Sequence, residues 1–155
     1  MTELRVTSAS SSAEIATELA ARRTGMSFQR TRMSADRTLM SVIRTSLSLI
    51  SFGFTIAQFF EKVREQNLIS GGVRAAGHFG LALVALGIAM LVIAIAFHVQ
   101  FMLGLRTVRS EMKLEGLIHG KSVFPPSLTL IAAVFLLGIG ITAIVSMVFH
   151  VGPFG

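Results

Sequence analysis

The stretch from Ser34 to Lys62 constrains the fold most, because it combines an apolar helix with an unbroken polar face. Alternating steps of three and four residues from Arg37 always reach a polar residue, and residues with this spacing share one face of an α-helix. Most other positions are Leu, Ile, Met or Phe. This polar face, called the seam below, consists of Arg37, Ser41, Arg44, Ser48, Ser51, Thr55, Gln58 and Lys62, and the same steps backwards reach Ser34 and Arg30.

Three stretches of the chain are apolar enough and long enough to cross a bilayer, which requires about 20 residues. They are expected at residues 39–60, 79–105 and 127–151. Hydrophobic residues make up 52% of the 155-residue chain and charged residues only 14%, a balance that a soluble domain does not show. The predicted fold class is therefore all-α and integral to a membrane, with three transmembrane helices.

The N-terminal residues 1–26 are polar and rich in serine. They contain no apolar core of a signal peptide, and their composition predicts a cytosolic tail that is largely disordered. A short helix from Ser12 to Arg23 is the alternative within this tail, although a helix of this length is marginal on its own.

Residues 27–36 mix Phe28 with arginines, which predicts an interfacial segment whose apolar groups dip into the acyl boundary. Ser34 is expected to cap the first span, with Asp36 as an anion in its first turn. Together with the three spans, this segment forms a predicted membrane domain over residues 27–155.

Basic residues are distributed unequally between the two sides of the predicted spans. Ten lie before the first span or between the second and the third, whereas three lie in the first loop and none in the C-terminal tail. The positive-inside rule then predicts a cytosolic N-terminus and an external C-terminus.

Arg106, Arg109 and Lys113 have helical spacing and predict a basic stripe on a cytosolic extension of the second helix. It is either a solvated face that contacts lipid phosphates or a functional surface.

Arg44 lies about 10 Å further along the helix than Arg37, at a rise of roughly 1.5 Å per residue. A central arginine costs roughly 2.5–3.5 kcal/mol on insertion scales, and a shallower one can reduce this by snorkelling. One interpretation is therefore a snorkelling arginine bonded to a neighbouring helix. The other is a guanidinium that faces a wet cavity or an oligomer axis and holds an anion. The seam residues beyond Arg44 serve either as interhelical hydrogen-bonding groups or as the lining of a pore.

A three-helix protomer is too small to enclose a conduit, so a wet seam requires several copies of the chain. Small residues in the second and third spans are expected to permit the close approach of helices that assembly needs. These residues are Gly80, Ala82, Ala85, Gly87, Ala89, Gly138, Gly140, Ala143 and Ser146.

Several classes of function lack the residues that they need. Cysteine is absent, which excludes disulfides and thiolate metal sites. No carboxylate lies at ligand spacing from a histidine, so neither a metal site nor a cofactor is predicted. The carboxylates lie outside the apolar spans, which argues against an enzyme, and no basic domain with stacking aromatics supports nucleic-acid binding. The four histidines are His78, His98, His119 and His150.

The first span opens with Ala35-Asp36-Arg37-Thr38-Leu39-Met40-Ser41-Val42-Ile43-Arg44-Thr45-Ser46-Leu47 and continues to Gly53-Phe54. This run resembles the opening helix of bacterial membrane proteins with the domain of unknown function 202, the YidH-like family. The family pattern is an acid-Arg-Thr start, then Ile-Arg-Thr, then Gly-Phe. Val42 departs from it at a position where an aromatic residue is expected.

The resemblance implies three spans over residues 30–153. The same domain forms the membrane part of the eukaryotic vacuolar transporter chaperone complex, in which the first helices of several subunits surround a basic conduit for polyphosphate. By that resemblance, Arg30 and Arg37 would face an axis and handle anions.

Two functions remain as hypotheses. The first is a homo-oligomeric protein of the bacterial inner membrane whose first helices line a basic axis that binds or conducts an inorganic anion, phosphate or polyphosphate by resemblance. The alternative is a non-conducting scaffold or accessory subunit whose arginines bind anionic lipid headgroups. The candidate lining residues are Arg30, Arg37, Arg44, Ser41, Ser48, Ser51, Thr55 and Gln58.

Overall fold

The computed structural model describes residues 11–66, 73–114 and 127–149, and these form three α-helices. Each helix is long enough and apolar enough to cross a membrane. The predicted all-α fold with three candidate spans is confirmed at this level, while the orientation and the oligomerisation stay predictions. The helices are α1 (Ser12–Glu65), α2 (Val73–Leu114) and α3 (Leu128–Phe149).

The first helix begins at Ser12, well before Ser34, where the sequence predicted a cap. Ser11 and Glu14 form a capping box, in which the Glu14 amide donates to the Ser11 hydroxyl at 3.3 Å and the Ser11 amide donates to the Glu14 carboxylate at 2.9 Å. One turn later, Arg22 forms an i,i+4 ion pair with Glu18 at 2.8 Å. Residues 12–26, expected to be largely disordered, are therefore helical, and residues 1–10 lie outside the described residues.

Nothing in the sequence of α1 interrupts it between the N-terminal extension and the span. The segment contains no proline, and Gly25 and Gly53 are its only glycines. Residues 27–36, predicted as an interfacial segment that leads directly into the first span, belong to this continuous helix, and their place at the interface stays a prediction. With 54 residues, α1 is about 80 Å long, whereas the hydrocarbon core of a bilayer is about 30 Å thick. A large part of α1 therefore extends beyond the bilayer.

The second helix runs antiparallel to α1 and also extends beyond its predicted span, as far as Leu114. This confirms that Arg106 and Arg109 lie on a helical extension of the second span. On α1, Ala21 is a buried residue of the N-terminal extension.

Glycines bring α1 and α2 into backbone contact in the middle of the protomer. A Cβ on Gly53 would lie 2.6 Å from the carbonyl oxygen of Gly80, and a Cβ on Gly80 would lie 2.6 Å from the carbonyl oxygen of Gly53. Two turns towards the extended ends, Gly87 packs against the backbone of Ser46, whose carbonyl oxygen would lie 3.0 Å from an added Cβ. This contact requires glycine because any side chain would separate the helices.

The core of the protomer lies between the three helices at the level of the first half of the α1 span. It consists of Leu39, Ile43, Leu91, Ala133 and Leu136. The third helix closes this core, and its first turn is capped by Ser127, whose hydroxyl accepts from the amide of Leu130 at 3.3 Å.

Part of the set of small residues predicted to mediate assembly is used inside the protomer instead. Gly80 and Gly87 face α1, and Gly140 packs against Ile88, from which an added Cβ would lie 3.0 Å. Only Gly138, among the glycines of that set, has no atom within 4 Å of an added Cβ. The physical reason is that three helices of one chain need the same close approach that helices of separate chains do.

Candidate functional site

The seam lies on a face of α1 that no other described part of the chain covers. Its residues around Arg44 are exposed in the protomer, and only Gln58 is half-buried. The structure therefore places the predicted residues together on one side of one helix. The exposed members are Arg30, Arg37, Ser41, Arg44, Ser48, Ser51 and Thr55.

A constant offset in sequence separates this face from the packed face. Ser41 precedes the buried Ile43 by two residues, and Arg44 precedes the buried Ser46 by two residues. The same offset relates Ser51 to Gly53. Because two residues turn about 200° around an α-helix, the seam points almost directly away from α2 and α3.

Hydroxyl groups of the seam donate hydrogen bonds within α1. Ser48 donates to the carbonyl oxygen of Arg44 at 2.9 Å, and Thr55 donates to that of Ser51 at 2.8 Å. A hydroxyl that donates inside its own helix offers only lone pairs to a neighbour. In this part of the seam the guanidinium of Arg44 is therefore the strong donor, and guanidinium hydrogen bonds to an anion are roughly twice as strong as neutral ones.

Sequence reasoning missed a heptad repeat that organises the seam. The segment from residue 23 to residue 50 reads RTGMSFQ, RTRMSAD, RTLMSVI and RTSLSLI, so that Arg-Thr recurs every seven residues with Ser four positions after each arginine. Comparing the chain with itself at a period of seven would have revealed it. The repeat adds one guanidinium to those predicted and gives the arginine column: Arg23, Arg30, Arg37 and Arg44.

The threonines of the repeat all make the same hydrogen bond, so the repeat in the sequence is also a repeat in the structure. Thr24, Thr31, Thr38 and Thr45 each donate to the carbonyl oxygen four residues earlier, at distances between 3.0 and 3.2 Å. A strict seven-residue repeat along an α-helix drifts slowly around its axis and favours a left-handed superhelix with partner helices.

The two flanks of the arginine column differ chemically. Met or Leu occurs three residues after each arginine, and serine occurs four residues after it. Three residues turn about 300° and four turn about 400°, so these side chains lie on opposite sides of the column. The exposed face of α1 is therefore apolar on one flank, cationic in the centre and hydroxylic on the other flank.

A polar cluster that the sequence did not predict joins the three helices at one end of the core. The Ser127 hydroxyl donates to the Asp36 carboxylate at 2.7 Å, and His98 Nε2 lies 3.5 Å from the same carboxylate oxygen. His98 is buried, and Nε2 makes no hydrogen bond within the described residues. Asp36 is the acid of the Asp-Arg-Thr motif, so the residue next to Arg37 anchors α1 to α2 and to the α3 cap.

A cavity of about 660 Å³ lies between α1 and α2 beside this cluster. Its walls are mostly apolar, with contributions from Phe97 and Phe101, and His98 also lines it. Val42, which departs from the family pattern, lies in the same wall. Ser34 is the seam residue that reaches the cavity, so the cavity and the arginine column are largely separate features.

The remaining predicted residues lie elsewhere. Arg106 is exposed and Arg109 half-buried on the extension of α2, whereas the side chain of Lys113 lies outside the described part of the chain. His78 is exposed near the start of α2, and His119 and His150 lie outside the described residues. Within residues 11–66, 73–114 and 127–149, no group of three His, Asp or Glu side chains lies close enough together to bind a metal ion.

The fold and this site indicate a multi-pass membrane protein with a basic helix face that no other described residue covers. Residues 30–103 match the family model of the domain of unknown function, DUF202. This segment of the chain therefore belongs to the DUF202 family, which confirms the assignment made from the residues of the first helix. Comparisons with curated proteins and with solved structures found no significant match. The relation to the vacuolar transporter chaperone stays a prediction.

Proposed function

We propose that this protein forms a homo-oligomer in the bacterial inner membrane, in which the α1 helices surround a basic axis that binds or conducts an inorganic anion. The observation that carries the proposal is the position of the arginine column on the face of α1 opposite α2 and α3. A guanidinium directed into hydrocarbon is costly, and an axis shared by several copies provides water or an anion instead.

Like charges explain why the proposed axis needs an anion. Each copy contributes Arg30, Arg37 and Arg44 to the axis, so each level would hold a ring of guanidiniums that repel one another, most strongly at Arg44 within the span. An anion at each level offsets this repulsion and accepts charge-assisted hydrogen bonds. Phosphate, or a polymer of it, is the anion suggested by the family resemblance. The Ser48 and Thr55 hydroxyls donate their hydrogen bonds within α1, so the arginines are left as the donors to the anion.

The proposed orientation places the N-terminus in the cytosol, because basic residues are concentrated on that side. The extensions of α1 and α2 then project together into the cytosol. They carry Arg23, Arg106 and Arg109 to the entrance of the axis, where these cations would attract anions before entry.

The test is anion flux through the purified protein in liposomes, with a phosphate-sensitive dye enclosed. Arg37→Ala and Arg44→Ala are each expected to lower the flux at least about tenfold, since each would remove one of the proposed selective rings. Arg22→Ala is the matched control, because Arg22 is exposed on the same helix but lies outside the column and pairs with Glu18. Absence of flux for every inorganic anion would refute conduction.

The alternative function is a non-conducting scaffold or accessory subunit whose arginines bind lipid headgroups. The exposure of Arg30 and Arg37 near the end of the apolar part of α1 favours it, because long basic side chains reach headgroups from such positions. This alternative expects no flux, and it expects Arg37→Ala to weaken binding to vesicles that contain phosphatidylglycerol. Equal binding of this variant and of the unchanged protein would refute it.

A further inference from the structure

An exposed apolar stripe follows the arginine column along α1. Its five residues recur every seven positions, and each is between 43% and 53% exposed in the protomer. Such uniform exposure over four heptads differs from scattered surface residues and indicates an interaction face. The stripe consists of Leu19, Met26, Met33, Met40 and Leu47.

The stripe extends from the hydrocarbon of the predicted span into the water beyond it. Leu47 lies within the predicted first span, whereas Leu19 precedes the start of that span by about 30 Å at roughly 1.5 Å per residue. The continuous helix cannot place both ends in the hydrocarbon core. Lipid tails would cover Leu47 but not Leu19, and water would leave Leu19 and Met26 exposed. A protein helix parallel to α1 is the occupant that can cover the whole stripe.

We infer that this occupant is α1 of a second copy, and that the apolar stripe of one copy packs on the serine flank of the next. The heptad period is the period that lets parallel helices stay in contact along their length. Serine is small enough to receive Met and Leu side chains, and the serine flank lies on the other side of the arginine column. The flank consists of Ser27, Ser34, Ser41 and Ser48.

Packing unlike flanks has a definite consequence for symmetry. A two-fold contact centred on the exposed face would bring the arginine columns of two copies together, with like charges opposed at four levels. Contact between the stripe of one copy and the serine flank of the next is heterologous, so it repeats from copy to copy and forms a ring where the rotation between copies closes. Every arginine column then faces the interior of that ring. This inference rests on the oligomer proposed above but not on conduction.

The test uses disulfide formation in the full-length chain, which has no cysteine of its own. Met26→Cys and Ser27→Cys are produced separately, and also together in one chain, in membranes treated with copper phenanthroline. Both positions are exposed on the surface of α1, so the protomer should fold in each case. Val92→Cys with Ile93→Cys is the matched control, since these adjacent residues are exposed on α2.

The heterologous contact predicts that the double variant forms a ladder of linked species whose largest member gives the copy number. Each single variant should be linked at least about fivefold less, because a disulfide requires Cα atoms within about 7 Å. Equal linking in a single variant would indicate two-fold contact and overturn the inference. Absence of linking in the double variant, or equal linking in the control pair, would also overturn it.

Flux measured on the same preparation separates this inference from the proposed function. A ladder without flux in any anion would leave the interface intact and refute conduction. Flux without a ladder would refute the interface and leave the conducting oligomer in place.

Discussion

The two faces of α1 follow the same seven-residue repeat but carry opposite chemistry. The packed face presents Leu39, Ile43 and Ile50 to α2 and α3, and the face about 200° away presents arginine and serine. The packed face is covered by α2 and α3 of the same chain. The arginine face has no partner among the described residues of the chain, and the partner proposed for it is another copy of the chain. One helix thus encodes both the fold and the surface on which function is proposed.

The largest effect is expected where the packed face allows no side chain. Gly80→Leu would push α2 away from α1, because a Cβ at this position already lies 2.6 Å from the Gly53 carbonyl oxygen. The expected cost is about 3 kcal/mol or more, beyond ordinary overpacking. The measurement is the midpoint of unfolding in detergent, with circular dichroism as the signal. Gly138→Leu is the control, since nothing lies within 4 Å of its added Cβ. Equal midpoints would show that the glycine contact does not hold the protomer together.

A pair of truncations compares the two faces directly. Ile43→Ala removes a buried side chain from the core and should lower the free energy of unfolding by about 2–4 kcal/mol. Leu47→Ala, one turn further along, removes a side chain that is 47% exposed and should cost under about 1 kcal/mol in a detergent that keeps the protein monomeric. In bilayers, Leu47→Ala should instead weaken self-association. Similar losses for both variants in the monomer would contradict the assignment of the faces.

A smaller effect is expected from the polar cluster at the end of the core. Ser127→Ala removes the cap of α3 and the hydroxyl that donates to Asp36, which should cost about 1–2 kcal/mol. Ser110→Ala is the control, because that exposed hydroxyl donates only to the nearby Thr107 carbonyl oxygen. Thermal unfolding of both variants in the same detergent measures the difference. An equal midpoint for the two would show that the cluster does not stabilise the packing of α3.

The fold could be predicted from the sequence to the extent that apolar length and helical spacing determine it. The three spans, the helical extension that carries Arg106 and the polar face around Arg44 followed from these patterns. The helix at residues 12–26 did not, because its capping box and its Glu18–Arg22 pair are local features hidden in a polar composition. The roles of Gly80 and Gly87 inside the protomer depend on which helices meet, and a single sequence does not give that information.

The candidate site divides in the same way. Its exposed arginines share one helix, so their spacing was enough to group them. The Asp36–His98–Ser127 cluster joins three helices that are distant in sequence, and spacing along the chain gave no sign of it. Arg23 was not predicted for another reason: residues 1–26 were expected to be largely disordered, and heptad spacing places side chains on one face only in a helix.

The central claim, that the arginine face is covered by other copies or by water, is tested most directly by spin labels in liposomes. Ser41→Cys and Ser48→Cys, each labelled with a nitroxide, are compared with Phe135→Cys on the exposed face of α3. Low accessibility to oxygen, which concentrates in lipid, is expected at positions 41 and 48, and high accessibility at position 135. Equally high oxygen accessibility at all three positions would place the arginine face in lipid and refute its coverage by protein or water.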